Sequence, residues 1–148
     1  MGKSIKEGAK AITPARNKKQ KMQIEKNHAI ENGKGWMKSI MDWSALLLSS
    51  DDDVRESAVD EIFNSPLSVT VREGWKTVGG QSELEEFQIL LSTGGPALRI
   101  VGDIGAYGVA QNPVLEWQDW GTPWTEYVTT EEEDEALLGY CQQFYFGE

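Results

Sequence analysis

The chain lacks most of the residues on which enzyme mechanisms and metal sites depend. It contains one cysteine, Cys141, and one histidine, His28. A structural zinc site takes four nitrogen or sulfur ligands, which two residues cannot supply. A Ser-His-Asp or Cys-His mechanism would have one base and no evident group to orient it, and no Gly-rich segment is followed by the Lys-Ser/Thr pair of a phosphate loop. The sequence therefore predicts a protein without a catalytic centre, metal or cofactor.

Long apolar runs are also missing. The longest, at residues 45–48, has four residues, whereas about 18 are needed to span a bilayer. The first residues lack the apolar core of a secretory signal, and a single cysteine cannot form an internal disulfide. We therefore expect a soluble, cytoplasmic protein with no membrane partner.

Basic residues are scarce outside the first part of the chain. Residues 1–26 hold 8 of the 14 basic residues against two acidic ones, a net charge of +6. Residues 27–148 hold the other six against 22 acidic residues, a net charge of −16. The first part has few large apolar side chains to offset the entropy of ordering it. The sequence therefore predicts a basic flexible leader over residues 1–24 and a single acidic domain over residues 25–148.

This charge separation restricts the class of partner. An acidic body repels phosphate backbones and attracts basic surfaces, including those that normally hold nucleic acid. We therefore expect the partner to be a basic host protein or nucleoprotein complex. Direct binding of nucleic acid is expected only through residues 1–26, because they alone have the right sign.

Apolar residues recur at helical spacing on both sides of the middle of the chain. The first stripe consists of Trp36, Ile40, Trp43 and Leu47, and it predicts a helix over residues 25–48, with Gly33 and Gly35 as points where it could divide. A second helix is expected after a cap at Ser50 or Asp51, and it ends before Pro66.

A third helix is expected near the end of the chain. Thr130 and Glu133 have the spacing of a capping box, in which each residue satisfies a backbone N–H of the other. Its buried stripe is predicted to consist of Leu137, Leu138, Cys141, Phe144 and Tyr145.

Between the second and third helices the apolar period changes from 3.6 to 2, which is typical of strands. The predicted strands lie at residues 68–75, 86–93, 97–103 and 114–120, with a loop over residues 105–113. Short turns between consecutive strands favour antiparallel pairing. The sequence therefore predicts an α+β fold: an antiparallel four-stranded meander sheet with two N-terminal helices and one C-terminal helix covering one face.

The segment from residue 116 to residue 127 is dense in tryptophan and acidic residues. An aromatic anchor surrounded by acids is typical of protein interfaces. We therefore predict a partner-binding site there, with one further acid on a neighbouring strand. The predicted site residues are Glu86, Glu116, Asp119, Trp120, Trp124 and Glu126.

Two other interpretations of this segment remain open. Its tryptophans could be covered by the helices, as most tryptophans are. Two of its acids could serve a glycosidase, with tryptophans stacking on sugars. Against catalysis, Glu116 and Asp119 should point to opposite faces of a regular strand, so we do not expect an enzyme.

Five segments carry a resemblance to a known group of proteins. They are SPLSV at residues 65–69, VREGW at 71–75, LSTGGPA at 91–97, QDWGTPWTEY at 118–127 and QFYFGE at 143–148. In these segments the chain resembles an uncharacterised family of small acidic proteins of bacterial genomes, phages and integrated mobile elements. The resemblance implies an accessory protein of mobile DNA, a setting in which inhibitors of host defence are common.

Charge and resemblance together predict a function. We expect a non-enzymatic inhibitor of a host nucleic-acid-handling defence complex, of the anti-CRISPR or anti-restriction type, whose acidic face occupies a basic groove. The alternatives are a generic soluble accessory or structural protein of a mobile element, whose acidity serves solubility, and a small carboxylate-dependent enzyme.

Overall fold

The computed structural model describes residues 14–94, 96–119 and 121–146, and its elements follow one another in an α+β order. They are α1 (Pro14–Leu47), α2 (Asp52–Asn64), β1 (Ser68–Glu73), β2 (Leu84–Ser92), β3 (Ala97–Ile104), β4 (Ala110–Gln118), β5 (Thr125–Glu126) and α3 (Glu131–Cys141). The strands form one antiparallel sheet in the order β1-β2-β3-β4-β5. The α+β class with an antiparallel meander is confirmed. The prediction of four strands is wrong, because a two-residue strand is too short to show a period.

Helix α1 is longer than the apolar stripe predicts. It begins at Pro14, so residues 14–24 of the predicted leader are helical, whereas residues 1–13 lie outside the described residues. The helix is not divided at its glycines. Gly33 is buried, and a Cβ added there would lie 2.7 Å from Cδ2 of Tyr127. Glycine at this position therefore allows the segment after β5 to pack closely against the helix.

The helix caps lie where the sequence predicts them. Asp51 caps α2 by accepting a hydrogen bond from the backbone N–H of Asp53 at 2.9 Å. At the start of α3, the backbone N–H of Thr130 donates to Glu133 at 2.9 Å, and the backbone N–H of Glu133 donates to the Thr130 hydroxyl at 3.2 Å. These caps satisfy donors that the first helical turn leaves free.

The hydrophobic core lies between one face of the sheet and the helices. It includes Met37, Ile40, Ile62, Phe87, Ile89, Leu98, Ile100, Leu115, Trp117, Leu137, Tyr140 and Cys141. The Tyr140 ring stacks on Trp43 at 5.8 Å, and its hydroxyl lies 2.7 Å from that of Ser65. The predicted stripe of α3 is correct for Leu137 and Cys141 but wrong for Tyr145, which is exposed.

All four predicted strands have different ends in the structure, and the differences at β1 and β4 affect the surface of the sheet most. Strand β1 ends at Glu73, after an irregularity in register between Arg72 and Glu73, so it does not extend to Trp75. Strand β4 begins at Ala110, inside the predicted loop over residues 105–113. Its backbone has a positive φ of 51° at Asn112, where the register with β3 shifts. Strand β4 thus continues through an Asn-Pro pair that normally indicates a turn.

Candidate partner-binding site

Most of the predicted site residues lie on the face of the sheet that the helices leave uncovered. The cross-strand pairs place Thr70, Arg72, Glu86, Gln88, Arg99, Val101, Glu116, Gln118 and Glu126 on this face, which we call the helix-free face. The residues that alternate with them in the middle of β2, β3 and β4 belong to the core, because side chains alternate across a strand. The structure therefore brings Glu86, Glu116 and Glu126 to one face.

Two of these acids are neutralised by arginines. Arg72 contacts both carboxylate oxygens of Glu86, at 2.8 and 3.1 Å, and this ion pair raises the pKa of the Arg72 guanidinium. Arg99 donates to Oε1 of Glu116 from Nη2 at 2.8 Å and from Nε at 2.9 Å. The second pair is the more enclosed, with its side chains 22% and 20% exposed.

The network around Arg99 continues in both directions. Its Nη1 donates to Oε1 of Gln88 at 2.8 Å, and the Trp124 ring lies 4.1 Å from the guanidinium carbon. An arginine over a tryptophan ring is attracted by the negative face of the ring. Trp124 therefore covers an internal ion pair, which accounts for its half-buried state without a partner.

Asp119 lies away from this face. It is 8% exposed, and its carboxylate accepts a hydrogen bond from the Thr122 hydroxyl within the turn after β4. The Thr122 backbone N–H also donates to the Asp119 carbonyl at 3.3 Å. Asp119 thus stabilises this turn. Trp120, the next residue, lies outside the described residues.

Glu126 is the exception among the described acids of the predicted site. It is exposed and stands opposite Glu116 across β4 and β5, and it has no ion pair within the described part of the chain. The predicted acidic face therefore contains two closed ion pairs and one free carboxylate. The three acids considered for catalysis are not gathered either, because Asp119 points away and Glu116 is held by Arg99.

A different part of the sheet displays aromatic side chains. In the antiparallel order, the loop at residues 74–83 joins β1 to β2, and the loop at residues 105–109 joins β3 to β4 at the same end of the sheet. We call these two loops with the flanking strand ends the hairpin end. The loops are about 10 Å apart, because they are separated by about two strand spacings.

The hairpin end exposes large apolar side chains in both loops. Trp75 is 100% exposed and Tyr107 is 91% exposed, and Val78 in the first loop is also exposed. Tryptophan is highly buried on average, so a fully exposed one is informative. Tyr107 also has φ 62° and ψ 22°, a left-handed backbone conformation that costs a non-glycine residue about 1–3 kcal/mol. Strain of this kind is concentrated at functional sites.

Acids surround these side chains. Glu73, Glu85 and Asp103 lie at the strand ends that carry the two loops, and Glu83 is the last residue of the first loop. None of them forms an ion pair with another described residue, and Lys76 is the one basic residue of the first loop. Two accept hydrogen bonds from neutral groups: Glu73 from Ser82 at 2.8 Å and Asp103 from Asn112 at 3.0 Å. The hairpin end thus keeps its negative charge.

The segment after α3 supports the second loop. The backbone N–H of Phe146 donates to the Gly108 carbonyl at 3.2 Å, and the Phe146 ring stacks on Phe87 at 4.9 Å. Tyr145, the preceding residue, is 72% exposed. A buried aromatic therefore anchors this segment beside the hairpin end while its neighbour faces solvent.

An exposed aromatic pair flanked by acids thus lies at the hairpin end, outside the segment in which the sequence predicts the partner-binding site. The alternation of Val69 and Val71 continues to Trp75 in the sequence and predicts that Trp75 lies in a strand. The Gly-Gly pair at residues 79–80 was a signal that the chain turns there, and Tyr107 lies between Gly105 and Gly108. Neither signal shows that the two loops meet at one end of the sheet.

Among residues 14–94, 96–119 and 121–146, no group of three or more His, Cys, Asp or Glu side chains is placed to hold a metal ion. Within the same residues, no helix has the length and apolar character needed to cross a membrane. Comparison with family models, curated proteins and solved structures finds no match for this chain.

Proposed function

We propose that this protein is a non-enzymatic inhibitor that binds a basic surface of a host nucleic-acid-handling defence complex, of the anti-CRISPR or anti-restriction type. The observation that carries the proposal is the hairpin end. It exposes Trp75 and Tyr107 among four acids that no described residue neutralises. Tryptophan and tyrosine are enriched among the residues that dominate binding energy at protein interfaces.

The partner's chemistry follows from charge. The body of the protein, residues 27–148, has a net charge of −16, which favours encounter with a groove lined by lysine and arginine. Carboxylates at the hairpin end would occupy positions that phosphates fill in such a groove, while the aromatic side chains contact apolar parts of its wall. The resemblance to proteins of phages and mobile elements supports a defence complex as the owner of that groove.

The proposal predicts protection of phages in cells. The protein is expressed in bacterial strains that each carry one defined CRISPR or restriction system, and the plating efficiency of a sensitive phage is measured. We expect plating to be restored on at least one system, and the purified complex of that system to lose nucleic-acid binding when the protein is added. Unchanged plating on every system, with no nucleic-acid enzyme recovered from host lysate, would contradict the proposal.

The role of the acids is tested by a charge-matched pair of double variants. Glu83→Gln with Glu85→Gln removes two charges at the hairpin end, whereas Glu56→Gln with Asp60→Asn removes two exposed charges on α2. We expect the first variant to slow association with the purified complex of the inhibited defence system more than the second does. It should also reduce the salt dependence of the association rate more, because exposed charges act over about 8–10 Å at physiological salt. Equal effects of the two variants would show that only net charge matters and that the hairpin end is not the site.

A further inference from the structure

Strand β1 forms an open edge of the sheet. All six of its residues are exposed, and β2 is its one strand neighbour among the residues that the structure describes. Natural proteins protect such edges with proline, lysine, short strands or a covering element. The opposite edge is protected in this way, because β5 has only two residues and Pro113 lies in the part of β4 beyond it. Strand β1 contains neither proline nor lysine.

The core side of β1 is also uncovered. Val69 and Val71 pair with Ile89 and Phe87, which are 0% and 2% exposed. The two valines themselves are 39% and 45% exposed. The helices therefore stop short of β1, and two β-branched side chains on the core side of the sheet remain in water.

Hydrogen-bond alternation shows which backbone groups of β1 are free. The backbone N–H of Tyr127 donates to the Leu115 carbonyl at 2.8 Å. The backbone N–H and C=O groups of Leu115 are therefore directed to β5, and those of its neighbour Glu116 are directed to β3. Successive residues of a strand point to alternate sides.

The cross-strand pairs carry this alternation across the sheet. The backbone N–H and C=O groups of Ile100 are therefore directed to β2, those of Gln88 to β1, and those of Thr70 back to β2. The N–H and C=O groups of Val69 and Val71 therefore point outward from the sheet.

We infer that β1 pairs with β1 of a second copy, antiparallel about a two-fold axis at Thr70. The segment Val69-Thr70-Val71 is palindromic, so this register places each Val69 opposite Val71 of the other copy. The four outward-pointing residues, two from each copy, would form four backbone hydrogen bonds. The two Thr70 side chains would meet on the helix-free face, a favourable cross-strand pair.

Charge favours a second copy at this edge over a basic partner. Strand β1 contains one arginine and one glutamate, so its own charge is zero, and Arg72 is held by Glu86. The repulsion between two acidic bodies then acts at a distance, where salt screens it. The dimer should therefore strengthen with salt, whereas binding of a basic partner at the hairpin end should weaken.

Sedimentation velocity of the full chain at about 50 mM and about 500 mM salt tests this inference. We expect a concentration-dependent dimer whose dissociation constant falls at least about threefold at the higher salt. Val71→Lys, which places two like charges at the interface, should raise that constant at least about tenfold. Val128→Lys is the control, because Val128 is an exposed valine, 84% accessible, that follows β5 at the opposite edge of the sheet. A monomer at all concentrations, or equal effects of the two variants, would overturn the inference.

The register is tested by cross-linking. Opposed residues without backbone hydrogen bonds have Cα atoms about 4.5 Å apart, within the range that disulfides span. Under oxidation, Thr70→Cys should form a covalent dimer, and Arg72→Cys should not, because Ser68 of the other copy would face it. Native Cys141 is buried and does not compete. Faster cross-linking of Val71→Cys than of Thr70→Cys would overturn the two-fold axis at Thr70.

Discussion

On the helix-free face, Glu86 and Glu116 each form an ion pair with an arginine, whereas at the hairpin end Glu83 and Glu85 form none among the described residues. The aromatic residues differ in the same way, since Trp124 covers Arg99 and Trp75 is bare. The same two residue types thus close a network in one region and leave a charged aromatic surface in the other. Composition alone therefore does not identify an interface. An acid that is held in an internal ion pair is less available to a partner than an acid that forms none.

The largest expected effect separates the two tryptophans. Trp75→Ala should weaken binding to the inhibited defence complex at least about 30-fold, equivalent to about 2 kcal/mol. The reason is that tryptophans that become buried at an interface are frequent hot spots. The free energy of unfolding of this variant should not change. Trp124→Ala should do the opposite, lowering stability while leaving affinity intact. Calorimetric titration measures the affinity, and urea unfolding measures the stability. A reversal of this pattern would indicate that the binding site lies in the segment at residues 116–127.

The second effect compares the two ion pairs of the helix-free face. Arg99→Ala should lower the free energy of unfolding by about 2 kcal/mol, because it leaves a largely enclosed carboxylate and Gln88 without their donor. Arg72→Ala should lower it far less, since its ion pair is exposed to solvent. Urea unfolding of both variants is the measurement. Equal losses would mean that the enclosed network contributes no more than a surface pair.

The third effect concerns the acid that the sequence placed at the interface. Asp119→Ala should lower the free energy of unfolding by about 1 kcal/mol, because the Thr122 hydroxyl loses its acceptor. Binding of the partner should be unchanged. Glu126→Ala, at an exposed position, is the control and should change neither. If Asp119→Ala instead impaired binding and left thermal unfolding unchanged, Asp119 would belong to the interface after all.

The smallest effect concerns backbone strain at the hairpin end. Tyr107→Gly should raise the free energy of unfolding by about 0.5 kcal/mol, because glycine adopts a positive φ without steric cost. The same change should weaken partner binding by removing the ring. Stability and affinity measured on one preparation then move in opposite directions. A variant that is both less stable and equally active would show that the strained tyrosine is structural.

The features predicted correctly from the sequence are those fixed by neighbours along the chain. The caps at Asp51 and Thr130 and the burial of Leu137 and Cys141 depend on residues within a few positions. The ion pair of Arg99 with Glu116 joins residues 17 apart, and it depends on the register between β3 and β4. On the predicted acidic face, strand register, which the pattern does not specify, places arginines beside Glu86 and Glu116.

The exposed aromatics were missed for a related reason. Alternation predicts which side of a strand a residue occupies but not where the strand ends. Strand β1 ends at an irregularity between Arg72 and Glu73, which frees Trp75 from the sheet. The hairpin end then forms because two separate loops are brought together by the strand order, a long-range property that neither loop sequence contains.

The burial of Cys141 makes the protein its own stability reporter. The thiol is 0% exposed, and burial raises its pKa. In the folded state a thiol reagent therefore cannot reach the sulfur atom, and the reactive thiolate form is disfavoured. Modification of this one sulfur atom then requires opening of the core around α3. The labelling rate should therefore follow the population of open molecules, as in amide hydrogen exchange. The variants described above that add no cysteine can be ranked by this labelling rate in dilute solution, without denaturant and without a spectroscopic label.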